Sequence, residues 1–358
     1  MGEKVRKGLI KADILTEYRP PEGEPDLSGR VGFGEAYPSK ALYKFLGYQN
    51  VDLHIGFNPS LSFVIDTSVC RAYCRLNERD HDRIWFNGER NPVYEERGRI
   101  ALNAFRKIWN VNRHFDFAVF LQRNYEKAKG LSESSAVAAA SAWALARCLF
   151  DEKDLSREFV STLARLVSGS GTRSVFGGAS MWITYPFMNS QDSYAFPVNI
   201  DLKDLKMNVY PDSLSITTSN AHGNATNSIF FEPWVQNKYN WIMNDLEDGF
   251  SRNRLLNRGM IDSLYLHSLI YSSGLISFSS RSLDLVSKYS EFRKKNEAIW
   301  FVQDTGPSLL IIAEDEKILN DFSNFSGRNG IRTTIPEKIS STQDNELLKR
   351  SMELFDSK

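Results

Sequence analysis

The sequence predicts an α+β fold in two domains, on three observations. The chain has 358 residues, a length that suits about two domains. Its strand-like runs, rich in β-branched and aromatic residues, lie close together as hairpins do. Its helix-period segments cluster instead of alternating singly with strands, which argues against a doubly wound parallel sheet.

Residues 19–30 (RPPEGEPDLSGR) combine Pro, Gly and charge, which predicts an irregular N-terminal extension over 1–30, with the globular part opening near Val31. LSFVIDTSVCRAYCRL (61–76) and RIWFNG (83–88), the latter closing on an Asn-Gly turn signal, read as neighbouring strands. In ERGRIALNAFRKIWN (96–110), Ile100, Ala104 and Ile108 stand four apart, as on the apolar face of a helix, and FDFAVFLQRN (115–124) reads as a buried strand. The Ala-rich stretch 134–149 favours helix by propensity, 157–169 is amphipathic at helical spacing, and GGASMWITYP (177–186) returns to strand. After the turn-like 188–193, a shift in composition puts a domain boundary near 190–205. This gives an N-terminal domain over 31–195 and a C-terminal domain over 196–358. The second domain holds an expected strand at 212–219 (DSLSITTS), helix from Trp234 to about Ser272, and a strand pair within 298–314.

Composition excludes several functions. Lys plus Arg number 44 and Asp plus Glu number 44, so no global positive charge draws nucleic acid or an anionic membrane, and any anion site is local. No apolar run reaches the roughly 18 residues that span a bilayer, and the charged amino terminus lacks the apolar core of a secretory signal. A cytoplasmic protein is expected. Cys70, Cys74 and Cys148 are too few for a disulfide framework and lack a second Cys/His pair at zinc spacing, so no metal site is expected.

Three loops carry the chemistry. In GLSESSA (130–136), a glycine loop runs into a helix and offers unpaired N–H groups, the positive end of the helix dipole and the hydroxyls of Ser132, Ser134 and Ser135: a cradle for an anion. In SGSGTRSVFGG (168–178), Arg173 stands among small residues that admit a ligand to the backbone, ready to grip a carboxylate or phosphate in a fork. DTGPS (304–308) ends an apolar strand on a carboxylate.

Taken with YPSKALYKFLGYQN (37–50), FNPSLSFVID (57–66) and DRIWFNG (82–88), these loops resemble, in order and approximate spacing over about residues 31–315, the mevalonate-diphosphate decarboxylase group of the GHMP kinase superfamily. The resemblance implies a two-domain GHMP kinase-like fold with its active site in the cleft between domains. It also implies an active-site lysine at Lys44, a carboxylate-holding arginine at Arg173, an essential aspartate at Asp304, phosphate ligands among Ser132, Ser134 and Ser135, and a basic residue near the substrate phosphates at Arg71. The chain departs from the pattern at three places. Glu133 intrudes in the phosphate loop, Tyr48 replaces a lysine, and an arginine is missing near 219–224, where His222 is the nearest candidate cation.

An ionised Glu133 about 6 Å from a triphosphate, at an effective dielectric near 20, weakens binding by roughly 3 kcal/mol, or about a hundredfold. The implied reaction is therefore the second half of the family's chemistry: ATP-independent decarboxylation of mevalonate 3,5-bisphosphate to isopentenyl phosphate, CO2 and phosphate, as in archaea with a modified mevalonate pathway. No cofactor is expected; Mg²⁺ held by Glu133 belongs to the alternative, an ATP-dependent diphosphomevalonate decarboxylase or a mevalonate 3-kinase-like phosphotransferase. A non-catalytic metabolite-binding relative is a further reading, disfavoured by the joint retention of Lys44, Arg173 and Asp304. The expected partner is a small phosphorylated mevalonate, and by family analogy the protein is a homodimer.

Overall fold

The computed structural model describes residues 1–15, 18–126, 128–214 and 218–357. Helices pack on a five-stranded mixed sheet and two four-stranded antiparallel sheets, an α+β architecture. The mixed sheet has the order Gly32–Ala36, Ser68–Asn77, His114–Arg123, Arg83–Phe86, Glu89–Arg90. Asn87 and Gly88 both take positive φ, 53° and 92°, as a tight hairpin turn requires. The sequence-neighbouring strands Ser68–Asn77 and Arg83–Phe86 are not neighbours in the sheet, because His114–Arg123 inserts between them and runs parallel to Arg83–Phe86. The intervening helix Pro92–Trp109 explains this, since a helical crossover returns the chain in the same direction.

That helix turns a different face to the core from the one expected. Ile100 and Ile108 are 51% and 36% exposed, whereas Ala101, Leu102 and Phe105 are buried. Gly98 selects the face: a Cβ there would lie 2.1 Å from the Ile84 side chain, so this is where helix and sheet touch. The Ala-rich helix Glu133–Leu149 packs even closer, with Gly34 so near Ala140 that an added Cβ would sit 2.0 Å from its carbonyl oxygen.

A second sheet runs Ala195–Pro197, Ala179–Trp182, Ser60–Val64, Ser39–Tyr43, and a third Ile299–Gln303, Leu309–Ala313, Lys206–Tyr210, Ile331–Thr333. The strand expected at 212–219 lies partly outside the described residues; of the rest, Thr218 opens a helix, Thr218–Asn224. The strand is instead Lys206–Tyr210, and Asp212 has left the sheet, its carbonyl taken by the Lys129 N–H and its carboxylate by Ser279. The helical region from 234 divides into Phe231–Asp248 and Arg252–Ser272 at Gly249, where φ is 82°.

The chain ends bridge the halves. The N-terminal extension is not irregular throughout, as expected over 1–30: helix Gly2–Lys11 buries Val5 and Leu9 against Phe231–Asp248, and the irregular stretch is 19–30. The last helix, Asn345–Asp356, crosses back to the mixed sheet and sets Phe355 against Trp85 on the face opposite Glu133–Leu149. Among the described residues no helix is long and apolar enough to cross a membrane.

Candidate active site

The site is assembled where strand Ser39–Tyr43, the Gly130 loop and the turn after Ile299–Gln303 meet at a cleft of about 1090 Å³. The glycines of the two loops are in backbone contact: a Cβ on Gly306 would lie 2.5 Å from Gly130 N, and Gly130 itself has φ 82°. Glycine is required at both because any side chain would wedge the loops apart. Ser308 closes the junction, donating its N–H to the Lys129 carbonyl at 3.3 Å.

This crossing sets Asp304 over the helix terminus, where three groups hold its carboxylate. Lys40 Nζ is 3.0 Å from Oδ2, Lys44 Nζ is 3.4 Å from Oδ1, and Ser132 donates its hydroxyl to Oδ2 at 3.1 Å. Burial opposes the aspartate's charge, but Lys40 and Lys44 overcome it and hold the carboxyl well below the usual carboxylate range. Burial likewise pushes the Lys44 ammonium down, against the pull of Asp304 and Asp262. Lys44 is aimed through its backbone: its N–H donates to Asp262 Oδ2 at 2.7 Å, and Asp262 is fixed by Lys238 and by the Trp234 indole N–H at 2.7 Å.

Arg173, in the short helix Gly171–Ser174, is 2% exposed and lines the same cleft. Its guanidinium donates to the Ser60 hydroxyl and lies 5.3 Å from the Phe45 ring centre, while its Nε–H has no partner among the described residues. Burial pulls its pKa down to about 10, with Asp304 and Tyr48 opposing. A buried cation held by one hydroxyl and an aromatic face is poorly satisfied, and an anion in the cleft would complete it.

The remaining expected residues divide. Lys44, Arg173, Asp304, Ser132, Ser134, Tyr48 and His222 all line the cleft. Ser134 is exposed at the head of its helix, open to a ligand. Ser135 is fully buried and spent on structure: its hydroxyl donates to the Ser132 carbonyl at 2.7 Å and accepts from Ser39 N at 3.1 Å and Ser174 Oγ at 2.9 Å. Arg71 is elsewhere, paired with Glu35 at 2.9 Å on the mixed sheet; the alternation of Cys70, Ala72 and Cys74 toward the Ala-rich helix turns Arg71 the other way. His222 is no cation. Its Nδ1 accepts the Gly47 N–H at 2.9 Å, burial pulls its pKa down to about 3, and its ring stacks on Tyr48 at 4.7 Å. Tyr48 spends its hydroxyl on the Gly169 backbone.

Glu133 also differs from expectation. Its carboxylate is gripped by the Arg123 guanidinium, with Nη2 to Oε2 at 2.9 Å, and accepts the Tyr125 hydroxyl at 2.5 Å. The charge is compensated, so simple repulsion of a phosphate at full strength does not apply. Sequence reading missed Lys40, which is 0% exposed, although a second lysine four residues before Lys44, ahead of the apolar run Ala41–Tyr43, was a visible signal.

Residues 36–195 match the diphosphomevalonate decarboxylase-like N-terminal domain. The fold is similar to the mevalonate diphosphate decarboxylase of Enterococcus faecalis, with TM-score 0.74 at 21% identity over 87% of this chain and 99% of that one. It is also similar to mevalonate-3-kinase of Thermoplasma acidophilum, with TM-score 0.69 at 17% identity over 87% and 98%. In sequence the chain is 38% identical over 358 residues, 99% of its length and 88% of the relative's, to mevalonate 3,5-bisphosphate decarboxylase of Thermoplasma acidophilum. It is 39% identical over 323 residues, 90% and 86%, to the protein of the same name in Thermoplasma volcanium. With this similarity running over nearly the whole chain, the chain belongs to the mevalonate 3,5-bisphosphate decarboxylase family.

Proposed function

We propose that this protein converts mevalonate 3,5-bisphosphate to isopentenyl phosphate, CO2 and phosphate without ATP. The observation that carries the reading is the ionised Asp304, paired with two buried lysines and facing a cleft that also holds the underused Arg173. The names of the two Thermoplasma relatives support the same reaction.

In the reaction the C3–O bond breaks and its electron pair leaves with the phosphate. The C1–C2 pair then becomes the C2=C3 double bond as C1 departs as CO2. Positive charge develops on C3 and negative charge on the leaving oxygen, so catalysis consists of fixed charges aimed at both. Arg173 holds the carboxylate so that the C1–C2 bond lies in line with the breaking C3–O bond. Lys44 and the exposed Ser134, at the positive end of its helix, take the departing phosphate. Asp304 faces the developing cation. Ser132 serves this step by fixing Asp304, and Ser135 by tying the loop together.

Independence from ATP rests on Glu133. Its carboxylate stands in the first turn of the Ala-rich helix beside the cleft and is anchored by Arg123 and Tyr125, so a fixed acidic side chain borders the phosphate loop and, with Ser134 left to take the one departing phosphate, disfavours the longer, more highly charged triphosphate of a nucleotide. The test is to incubate the enzyme with mevalonate 3,5-bisphosphate and with 5-diphosphomevalonate, each with and without Mg²⁺ and ATP, and to measure CO2. Release from the bisphosphate alone, unchanged by nucleotide, is expected; release only from the diphosphate with ATP overturns the reading.

A further inference from the structure

We infer that Lys40 is a positioning residue for the elimination, acting from behind Asp304 to keep its carboxylate charged and locked to the Gly130 loop. The inference rests on the decarboxylation reading above and extends it to a group that does not touch substrate. Lys40 is fully buried and, unlike Lys44, Arg173 and Asp304, is not among the residues lining the cleft. Among the described residues its ammonium bonds two groups: the Gly130 carbonyl, on the loop that precedes the helix terminus, and Asp304 Oδ2 at 3.0 Å. One charged group therefore joins the aspartate to the anion loop at the point where Gly130 and Gly306 are in contact.

Burying a lysine entirely is costly unless its charge is used. Here it balances charge. Asp304 with Lys44 alone is a neutral pair; with Lys40 the cluster is cationic, which suits a substrate bearing a carboxylate and phosphates. Lys44 is then free to turn toward the leaving group while Lys40 keeps Asp304 ionised. Among the described residues the other charged or titratable groups around Asp304 are Arg173 from the short helix, the buried neutral His267 from Arg252–Ser272, and Asp262 beyond Lys44. Ser132 supplies an uncharged hydrogen bond.

Removing a cation raises the pKa of a neighbouring carboxylate, so the ionised form is lost at a higher pH on acidification. The experiment compares kcat and KM for CO2 release in wild type, Lys40→Met and Lys40→Gln, with thermal unfolding measured alongside. The substrate's phosphates titrate near pH 6 and set the acid limb of turnover in all three proteins, so the Asp304 carboxyl is titrated directly in the ligand-free proteins by 13C NMR, assigned by its absence in Asp304→Asn. Both variants are expected to lose at least about 30-fold in kcat at neutral pH, with KM changed less than about threefold, and to raise the Asp304 titration by at least about one pH unit. Lys40→Gln, whose amide still reaches one of the two partners, is expected to recover thermal stability relative to Lys40→Met without restoring the Asp304 titration. An Asp304 titration unmoved in both variants, or full rescue of rate by Lys40→Gln, overturns the inference. Should both variants fail to fold, the wild-type titration decides alone, and ionisation of Asp304 at an ordinary pH near 4 overturns it. Absence of turnover in wild type, by contrast, overturns the functional reading itself.

Discussion

Arg173 gives the sharpest separation between a residue kept for function and one kept for folding. Burial lowers its pKa from 12.5 to about 10. At about 1.4 kcal/mol per pKa unit, holding this charge costs the free enzyme about 3 kcal/mol. The sign follows from the cation's depressed pKa: the cost is fully present at every pH below about 10 and fades only above it. Arg173→Met removes the cost but also the bond to Ser60, so the thermal midpoint of the ligand-free protein is expected to rise by about 2–5 °C. Activity should move the other way. Two charge-assisted hydrogen bonds to the substrate carboxylate, each worth about 1.5–3 kcal/mol, correspond to a loss of about 10²–10⁴-fold in kcat/KM. Arg173→Lys keeps the charge but loses the fork, and should fall between. The assays are CO2 release from mevalonate 3,5-bisphosphate and thermal unfolding with and without substrate. An Arg173→Met protein that is less stable than wild type, or within threefold of its kcat/KM, refutes the reasoning.

Asp304→Asn leaves Lys40 and Lys44 facing each other without the carboxylate between them. Breaking such a buried pair costs about 3–5 kcal/mol, so the free variant should melt earlier, substrate anions should restore much of the loss, and single-turnover CO2 release should fall about 100-fold or more. Its depressed pKa adds a pH signature: the stability it contributes is complete above the unfolded value near 4 and is lost progressively as pH falls below it toward the depressed folded value, so wild type should lose stability in that acid window and Asp304→Asn, already without the contribution, should not. Arg71→Met, which removes a pair with Glu35 away from the cleft, should leave kcat/KM within about twofold and change only stability.

Much of this was legible in the sequence where local chemistry decides the outcome. The Asn87-Gly88 hairpin, the Ala-rich helix, the strand pair around Asp304 and the glycine loop each follow from residue types at fixed spacing. What the sequence withheld depends on partners distant in the chain. Helix Pro92–Trp109 carries two apolar rows, and only Ile84 across from Gly98 chooses between them. Arg71 and Ser135 look like phosphate ligands by type and order, but Glu35 claims the first and Ser39 and Ser174 the second. Glu133 reads as an unwelcome charge until Arg123 and Tyr125 are brought beside it. Lys40 was missed because its two partners, Gly130 and Asp304, lie 90 and 264 positions away.

The central claim is that phosphate leaves by breaking its bond to carbon and drives decarboxylation, rather than being transferred or hydrolysed. The most direct measurement is a turnover of mevalonate 3,5-bisphosphate in H2¹⁸O without nucleotide or added metal, with the released phosphate and CO2 analysed by mass spectrometry and the organic product by NMR. Carbon–oxygen cleavage gives phosphate free of solvent ¹⁸O, with CO2 and isopentenyl phosphate formed in equal amounts. Phosphate carrying one solvent ¹⁸O, accompanied by mevalonate 5-phosphate and no CO2, would contradict the account.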